Sequence, residues 1–204
     1  EAFTKDDQSV IVDIAFEHLY STEEDERALA IEAVGWGATQ ACVESAIRVL
    51  GDPSVLVRRA AVDALGRLRD RSAVAALGKT LGDPDPEVRS GAVRALGVID
   101  DEGVLSYLVA ALKDPEQSVR ETASHVLTEW SSPAVAKRLA GVLTVPSLRD
   151  SAADLLMRIG PTSVELLIDV LRQGPPGLRG TVGPLLNNLV GVDEFIRRME
   201  SVEP

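Results

Sequence analysis

The stretch GDPSVLVRRAAVDALGRL at residues 51–68 returns as GDPDPEVRSGAVRALGVI at 82–99 and as KDPEQSVRETASHVLTEW at 113–130. Self-similarity at a fixed 31-residue step describes a stack of small supersecondary units. A unit of that length cannot bury its own apolar face, so neighbours must pack on one another as a solenoid.

The repeat extends in both directions from this stretch. Aligning on the arginine after each turn gives Arg27, Arg58, Arg89, Arg120, Arg149 and Arg179, with gaps of 31, 31, 31, 29 and 30 residues. In each unit a first helix is expected to end at an apolar position (Leu50, Leu81, Leu112, Leu143, Leu171). A short turn follows, and a second helix carries the arginine near its start. The expected fold is all-α: a right-handed α-solenoid of about six helical hairpins, closed by a terminal helix near 192–200. Composition agrees, because 45% hydrophobic but only 3% aromatic residues suit helices packed through small side chains. We expect one domain over 1–204, with an acidic N-terminal cap at 1–37, regular repeats at 38–143, and degenerate repeats with a C-terminal cap at 144–204.

Asp52-Pro53, Asp83-Pro84 and Asp114-Pro115 place a carboxylate where it can cap free helix N–H groups, followed by a residue that has no N–H to satisfy. Asp85-Pro86 offers a second start in its unit. The six-residue offset from each of the three aspartates to Arg58, Arg89 and Arg120 predicts a ladder of ion pairs running between adjacent turns.

These residues resemble the HEAT-like repeats of the phycobilisome-lyase type, whose unit reads Asp-Pro, Val-Arg, Ala-Ala and Ala-Leu-Gly. The match is Asp52-Pro53, Val57-Arg58, Ala60-Ala61 and Ala64-Leu65-Gly66, then Asp83-Pro84, Val88-Arg89, Ala92 and Ala95-Leu96-Gly97. It holds over 51–130 and weakens outside. Gly180, Gly183 and Pro184 are expected to interrupt the last helix.

Counted from the arginine, positions +3, +6, +7 and +10 are apolar, as in Ala61, Ala64, Leu65 and Leu68, the spacing of a buried helical stripe. Positions +1, +5 and +9 lie opposite. The resemblance implies that this second helix lines a concave face, so we expect partner binding by Trp36, Arg59, Asp63, Arg67, Arg94, Glu121, His125, Glu129, Asp154 and Arg158. Ser90 and Val98 share the phase. The indole of Trp36 has an alternative place, the core slot left empty by Gly37. Trp130 is expected in the core.

With Glu32 and Asp150 in the same phase, six acids face four arginines along the whole ridge, whereas a groove tracking a nucleic acid backbone needs positive charge in excess. The ridge therefore argues against nucleic acid, and against the HEAT-like DNA glycosylases, although Trp36 and Asp63 match the residue types those enzymes use. The deoxyhypusine hydroxylases of the same group need His-Glu pairs for iron, and the two histidines here precede Leu19 and Val126. No phosphate loop, nucleophile elbow or Cys-x-x-Cys occurs. The expected function is a non-catalytic scaffold that binds another protein or peptide on the concave face, without metal or cofactor. The alternative implied by the resemblance is a subunit of a bilin lyase.

The formal net charge of −11 is uneven, with −8 on residues 1–32. Glu23, Glu24, Asp25 and Glu26 suit a helix start, where carboxylates meet the positive end of the dipole. The lone Cys42 reads as a packed small hydrophobe. No apolar run approaches the roughly 20 residues that span a bilayer, and EAFTKDDQSV lacks the parts of a signal peptide. We expect a cytoplasmic monomer without direct membrane insertion. The start at Glu1 in place of Met leads us to expect a longer parent protein. The excess of Arg over Lys, 17 to 4, points to a prokaryotic source.

Overall fold

Leu50, Leu81 and Leu112 each close a short first helix, and five residues later a second helix begins. The computed structural model describes residues 5–37, 39–99, 101, 103–130, 132–173 and 178–191. Among these residues all regular structure is helical, twelve α-helices with two short 3₁₀ turns. The helices belong to two compact units, Glu1–Ala123 and Ser124–Pro204.

The first unit contains α1 (Lys5–His18), α2 (Glu24–Val34), α3 (Gln40–Val49), α4 (Val55–Leu68), α5 (Val74–Thr80), α6 (Pro86–Gly97), α7 (Val104–Ala111) and the start of α8 (Gln117–Trp130). A short 3₁₀ turn, Arg71–Ala73, leads into α5. The second helices form one layer, α2 on α4 and α4 on α6, and each also packs on its hairpin partner. The second unit takes the rest of α8, then α9 (Pro133–Val142), α10 (Pro146–Ile159), α11 (Val164–Gln173) and α12 (Arg179–Val190). There α9 packs on α10 and α11 on α12, with α9 also touching α11 and α10 touching α12.

The stripe read from the repeat is the core. Val57, Ala61, Ala64 and Leu65 of α4 are buried, as are Val88, Ala92, Ala95 and Leu96 of α6; Leu68 and Trp130 are half-buried. Small residues bring the second helices close together. A Cβ on Gly35 would fall 2.8 Å from Ala64 Cα, and one on Gly66 would fall 3.4 Å from Ala95 Cα, so these two glycines, one repeat step apart, each seat the next second helix.

The aspartates of the Asp-Pro turns do not cap helices. Asp52 Oδ1 accepts from Ser54 N (2.8 Å), Asp83 Oδ1 from Asp85 N (2.9 Å) and Asp114 Oδ1 from Glu116 N (2.9 Å), each closing an Asx turn ahead of the helix. Asp85 is the true cap of α6, accepting from Glu87 N and Val88 N before Pro86 in the first turn.

The turn geometry leaves each carboxylate facing back toward the preceding repeat. Arg27 Nε donates to Asp52 Oδ2 (2.8 Å), Arg58 Nε to Asp83 Oδ2 (2.7 Å) and Arg89 Nε to Asp114 Oδ2 (2.8 Å), with a second bond from Nη2 in every pair. Nη1 meanwhile donates to the two carbonyls of the arginine's own turn: Ser21 and Thr22, Asp52 and Pro53, Asp83 and Pro84. The six-residue offset is thus a side-chain-to-carbonyl link, and the ion pair itself spans 25 residues. Each rung is bidentate, largely buried and hydrogen-bonded at both ends, the arrangement a desolvated pair needs.

The same phase puts Ser21 and Val145 where a further aspartate would stand, so the ladder has three rungs among the described residues. Arg120 bonds only the carbonyls of Asp114 and Pro115 among the described residues. Contrary to expectation, α12 runs unbroken from Arg179 to Val190 with Pro184 inside it. Pro184, in the second turn, has no N–H to donate to the carbonyl of Gly180, so the helix runs on with that one bond missing. The terminal helix expected near 192–200 lies outside the described residues, as does Gly174-Pro175-Pro176.

Candidate binding groove

Across the layer of second helices in the first unit runs a groove of about 990 Å³. Its floor is made where the repeat sequence is smallest: Gly35, Gly66, Gly91 and Ala95. Trp36 and Gly37 after α2, Thr39, Gln40 and Val43 of the α3 start, Val62, Asp63, Arg67 and Leu68 of α4, and Arg94 and Val98 of α6 form the walls.

Trp36 is 63% exposed. The slot beside Gly37 is already filled, because a Cβ there would meet Cys42 Sγ, Val34 O and Val12 Cγ2, so the indole has no room to turn inward. Cys42 is fully buried and bonded to Thr39 Oγ1 through its sulfur (3.1 Å). The indole instead carries Arg67, whose guanidinium carbon lies 5.1 Å from the ring centroid, within cation–π range. Arg67 Nη2 donates to Glu32 O (3.4 Å), while its Nε is buried and has no acceptor among the described residues.

Arg94 is held by a directed chain of hydroxyls. Thr122 Oγ1 donates to Ser118 O (2.8 Å), which leaves it to accept from Ser90 Oγ (2.9 Å), which in turn accepts from Arg94 Nη1 (3.1 Å). Ser90, expected on the exposed ridge, is only 4% exposed because it serves this chain between α6 and α8.

The structure brings Trp36, Asp63, Arg67 and Arg94 into one groove. Arg59 stands apart from it: its Nη2 lies 3.1 Å from Oδ1 of Asp85, so it ties α4 to the cap of α6. Glu121 accepts from Gln117 Nε2 (2.6 Å) on the exposed face of α8. In the second unit, His125 pairs with Glu129 (3.4 Å) and Asp154 with Arg158 (3.0 Å), all exposed and one helical turn apart. The charge count along the whole ridge therefore misrepresents the groove. Arg67, Arg69 and Arg94 line it against Asp63 and Asp70, leaving one positive charge in excess.

Arg69 and Asp70 were missed by the helical phase because they lie beyond the end of α4. Arg69 is the C-cap in a left-handed conformation, φ 51°, a conformation few non-glycine residues adopt. Asp70 accepts from Ser72 Oγ and Ser72 N, and these bonds hold its carboxyl below the usual range. The signal in the sequence was Arg69-Asp70-Arg71-Ser72 between two helical patterns. Among the described residues no three His, Cys, Asp or Glu groups converge on a metal position, and no helix is long and apolar enough to cross a membrane.

Paired helices, a 31-residue step and a second-helix layer define a HEAT-type repeat protein. The chain belongs to the HEAT repeat family, whose family model matches residues 12–83, 43–123 and 74–157. Among solved structures, the complex of CpcE and CpcF of phycocyanin lyase from Nostoc sp. PCC7120 is similar over 89% of this chain and 75% of that chain, with 23% identity and a TM-score of 0.57. The archaeal HEAT-like repeats protein from Thermococcus onnurineus NA1 is similar over 95% of this chain and 89% of that chain, with 17% identity and a TM-score of 0.47. At these identities the likeness is one of fold. A search of curated protein sequences gives no match.

Proposed function

We propose that this protein is a non-catalytic scaffold that binds another protein across the groove of its first unit. The observation that carries the reading is the exposed Trp36 beside Arg67, preset on a floor of glycine and alanine. Tryptophan and arginine are the residue types that dominate protein interfaces. Here both are held by the fold, so little ordering cost falls on this side of a complex. The remaining expected contacts, Glu121, His125, Glu129, Asp154 and Arg158, are exposed pairs on helix faces and serve partner selection more than affinity. The phycobilisome-lyase type is our finer assignment of the repeat, supported by the Asp-Pro, Val-Arg and Ala-Leu-Gly signature. Action as a cytoplasmic monomer completes the proposal.

The test is a photo-crosslinking amino acid at position 63 in the groove, with the same probe at position 79 on α5 as control. A discrete protein adduct from position 63, absent from position 79 and lost with Trp36→Ala, is expected. Equal labelling from both positions contradicts the assignment. Mixing the protein with a bilin is expected to leave the absorption spectrum unchanged; a shifted band would favour the lyase-subunit reading.

A further inference from the structure

The arginines of the ladder end on carboxylates, as do Arg59, Arg158 and Arg172. Arg67 and Arg94, both in the groove, have no carboxylate within ion-pair distance among the described residues, although Asp63 stands one turn before Arg67 on the same helix. Both guanidiniums are nevertheless fixed in place.

Glycine makes room for the first of them: a Cβ on Gly35 would sit 2.9 Å from Arg67 Nη2, whereas one on Gly91 would meet Arg94 Nη2 only at an ordinary contact distance of 3.7 Å. The indole of Trp36 then supports Arg67, and the Ser90–Thr122 chain supports Arg94. Arg67 is short of acceptors, with Nε buried and unpaired among the described residues and Nη2 on a long 3.4 Å bond to Glu32 O.

From this geometry we infer that the groove recognises an acidic, extended protein segment, a carboxylate side chain engaging Arg67 and Arg94 while neighbouring apolar side chains pack on Trp36 and Val98. The inference rests on the protein-binding reading above and names the chemistry of its partner. Guanidinium groups suit carboxylates because their planar fork can donate two parallel bonds. The exposed indole and Val98, 44% exposed, supply the apolar contacts. Asp63 and Asp70 favour a peptide over a phosphate backbone: they repel a continuous run of negative charge yet can accept from peptide N–H groups.

The experiment is fluorescence anisotropy on the intact chain with labelled peptides alternating Glu and Leu, the same peptides with Gln for Glu, the same with Lys for Glu, and single-stranded and duplex DNA oligonucleotides. The Glu peptide is expected to bind at least about tenfold more tightly than the Gln peptide, with a gap that narrows as added salt screens the charges. Arg67→Gln and Arg94→Gln are each expected to remove most of that gap, and Arg138→Gln, exposed on α9, to leave it unchanged. Melting curves of the variants establish that they are folded.

Equal binding of the Glu and Gln peptides, preference for the Lys peptide, or no binding of any peptide would overturn the inference. Tighter binding of an oligonucleotide, weakened by the same two variants, would overturn it in favour of a phosphate backbone. A groove crosslink at position 63 without acid preference defeats this inference alone, whereas absence of that crosslink defeats the protein-binding reading beneath it.

Discussion

Arg58 holds Asp83 through two bonds, 2.7 Å from Nε and 3.0 Å from Nη2, and with Nη1 it holds the carbonyls of Asp52 and Pro53. One side chain therefore fixes the distance between successive turns. Arg27 and Arg89 do the same with Asp52 and Asp114. The repeat step is set on one side by these rungs and on the other by the glycine seats between second helices.

The third rung, Arg89 to Asp114, gives the measure of what a rung contributes. Arg89→Ala strands the buried Asp114 and frees the carbonyls of Asp83 and Pro84, and is expected to lower the unfolding free energy by about 3 kcal/mol. Arg120→Ala removes carbonyl bonds only and is expected to lower it by about 1 kcal/mol. Chemical denaturation of the two variants compares them; equal losses would show that the carboxylate adds nothing.

Acid should dismantle the rungs. Arg27 beside Asp52 and Arg89 beside Asp114 hold those carboxyls below the ordinary range. Folding thus favours their ionised forms, and this stabilisation is complete above the unfolded carboxylate value of about 4, then lost as pH falls through the lower folded values. Melting temperature against pH is expected to drop below about pH 4, less steeply for Asp114→Asn than for the parent. A parallel slope would remove Asp114 from the account.

Much of this was legible in the sequence because a repeat reports its own phase. The step of 31 residues located the hairpins, and the +3, +6, +7 and +10 stripe located the core. What the phase cannot carry is the choice of partner for a side chain. Asp52 turned from helix cap to Asx turn, and Arg59 took Asp85, whose place in the cap puts it within reach. Trp36 stayed outside because Cys42, six residues further on, had filled the slot at Gly37. The groove itself depends on where Gly35 leaves room for Arg67 and on Arg94 standing beside it on the following second helix, a relation among three helices that no single helical stripe displays.

Two glycine substitutions separate packing from propensity. Gly35→Ala places a methyl group 2.8 Å from the Ala64 backbone and is expected to destabilise by about 1 to 3 kcal/mol, despite the better helical propensity of alanine. Gly141→Ala, where nothing lies within 4 Å, is expected to stabilise by about 0.5 kcal/mol. Melting temperatures moving in the same direction would contradict the close α2–α4 seat.

Leu96, fully buried on α6, tests the stripe. Leu96→Ala is expected to cost about 2 to 5 kcal/mol through the cavity it leaves. A negligible change in denaturation midpoint would put the stripe out of phase with the core.

The central claim is that recognition lies in the groove of the first unit, and charge reversal tests it most directly. Arg59 is left intact, because Arg59→Glu would set a second carboxylate against Asp85 and disturb the α6 cap. The measurement is capture of the crosslinked partner by Arg67→Glu with Arg94→Glu, set against Lys79→Glu with Lys137→Glu on the exposed faces of α5 and α9. The account predicts loss of capture by the groove pair and full capture by the outer pair, with both variants folded; capture retained by the groove pair and lost by the outer pair would contradict it.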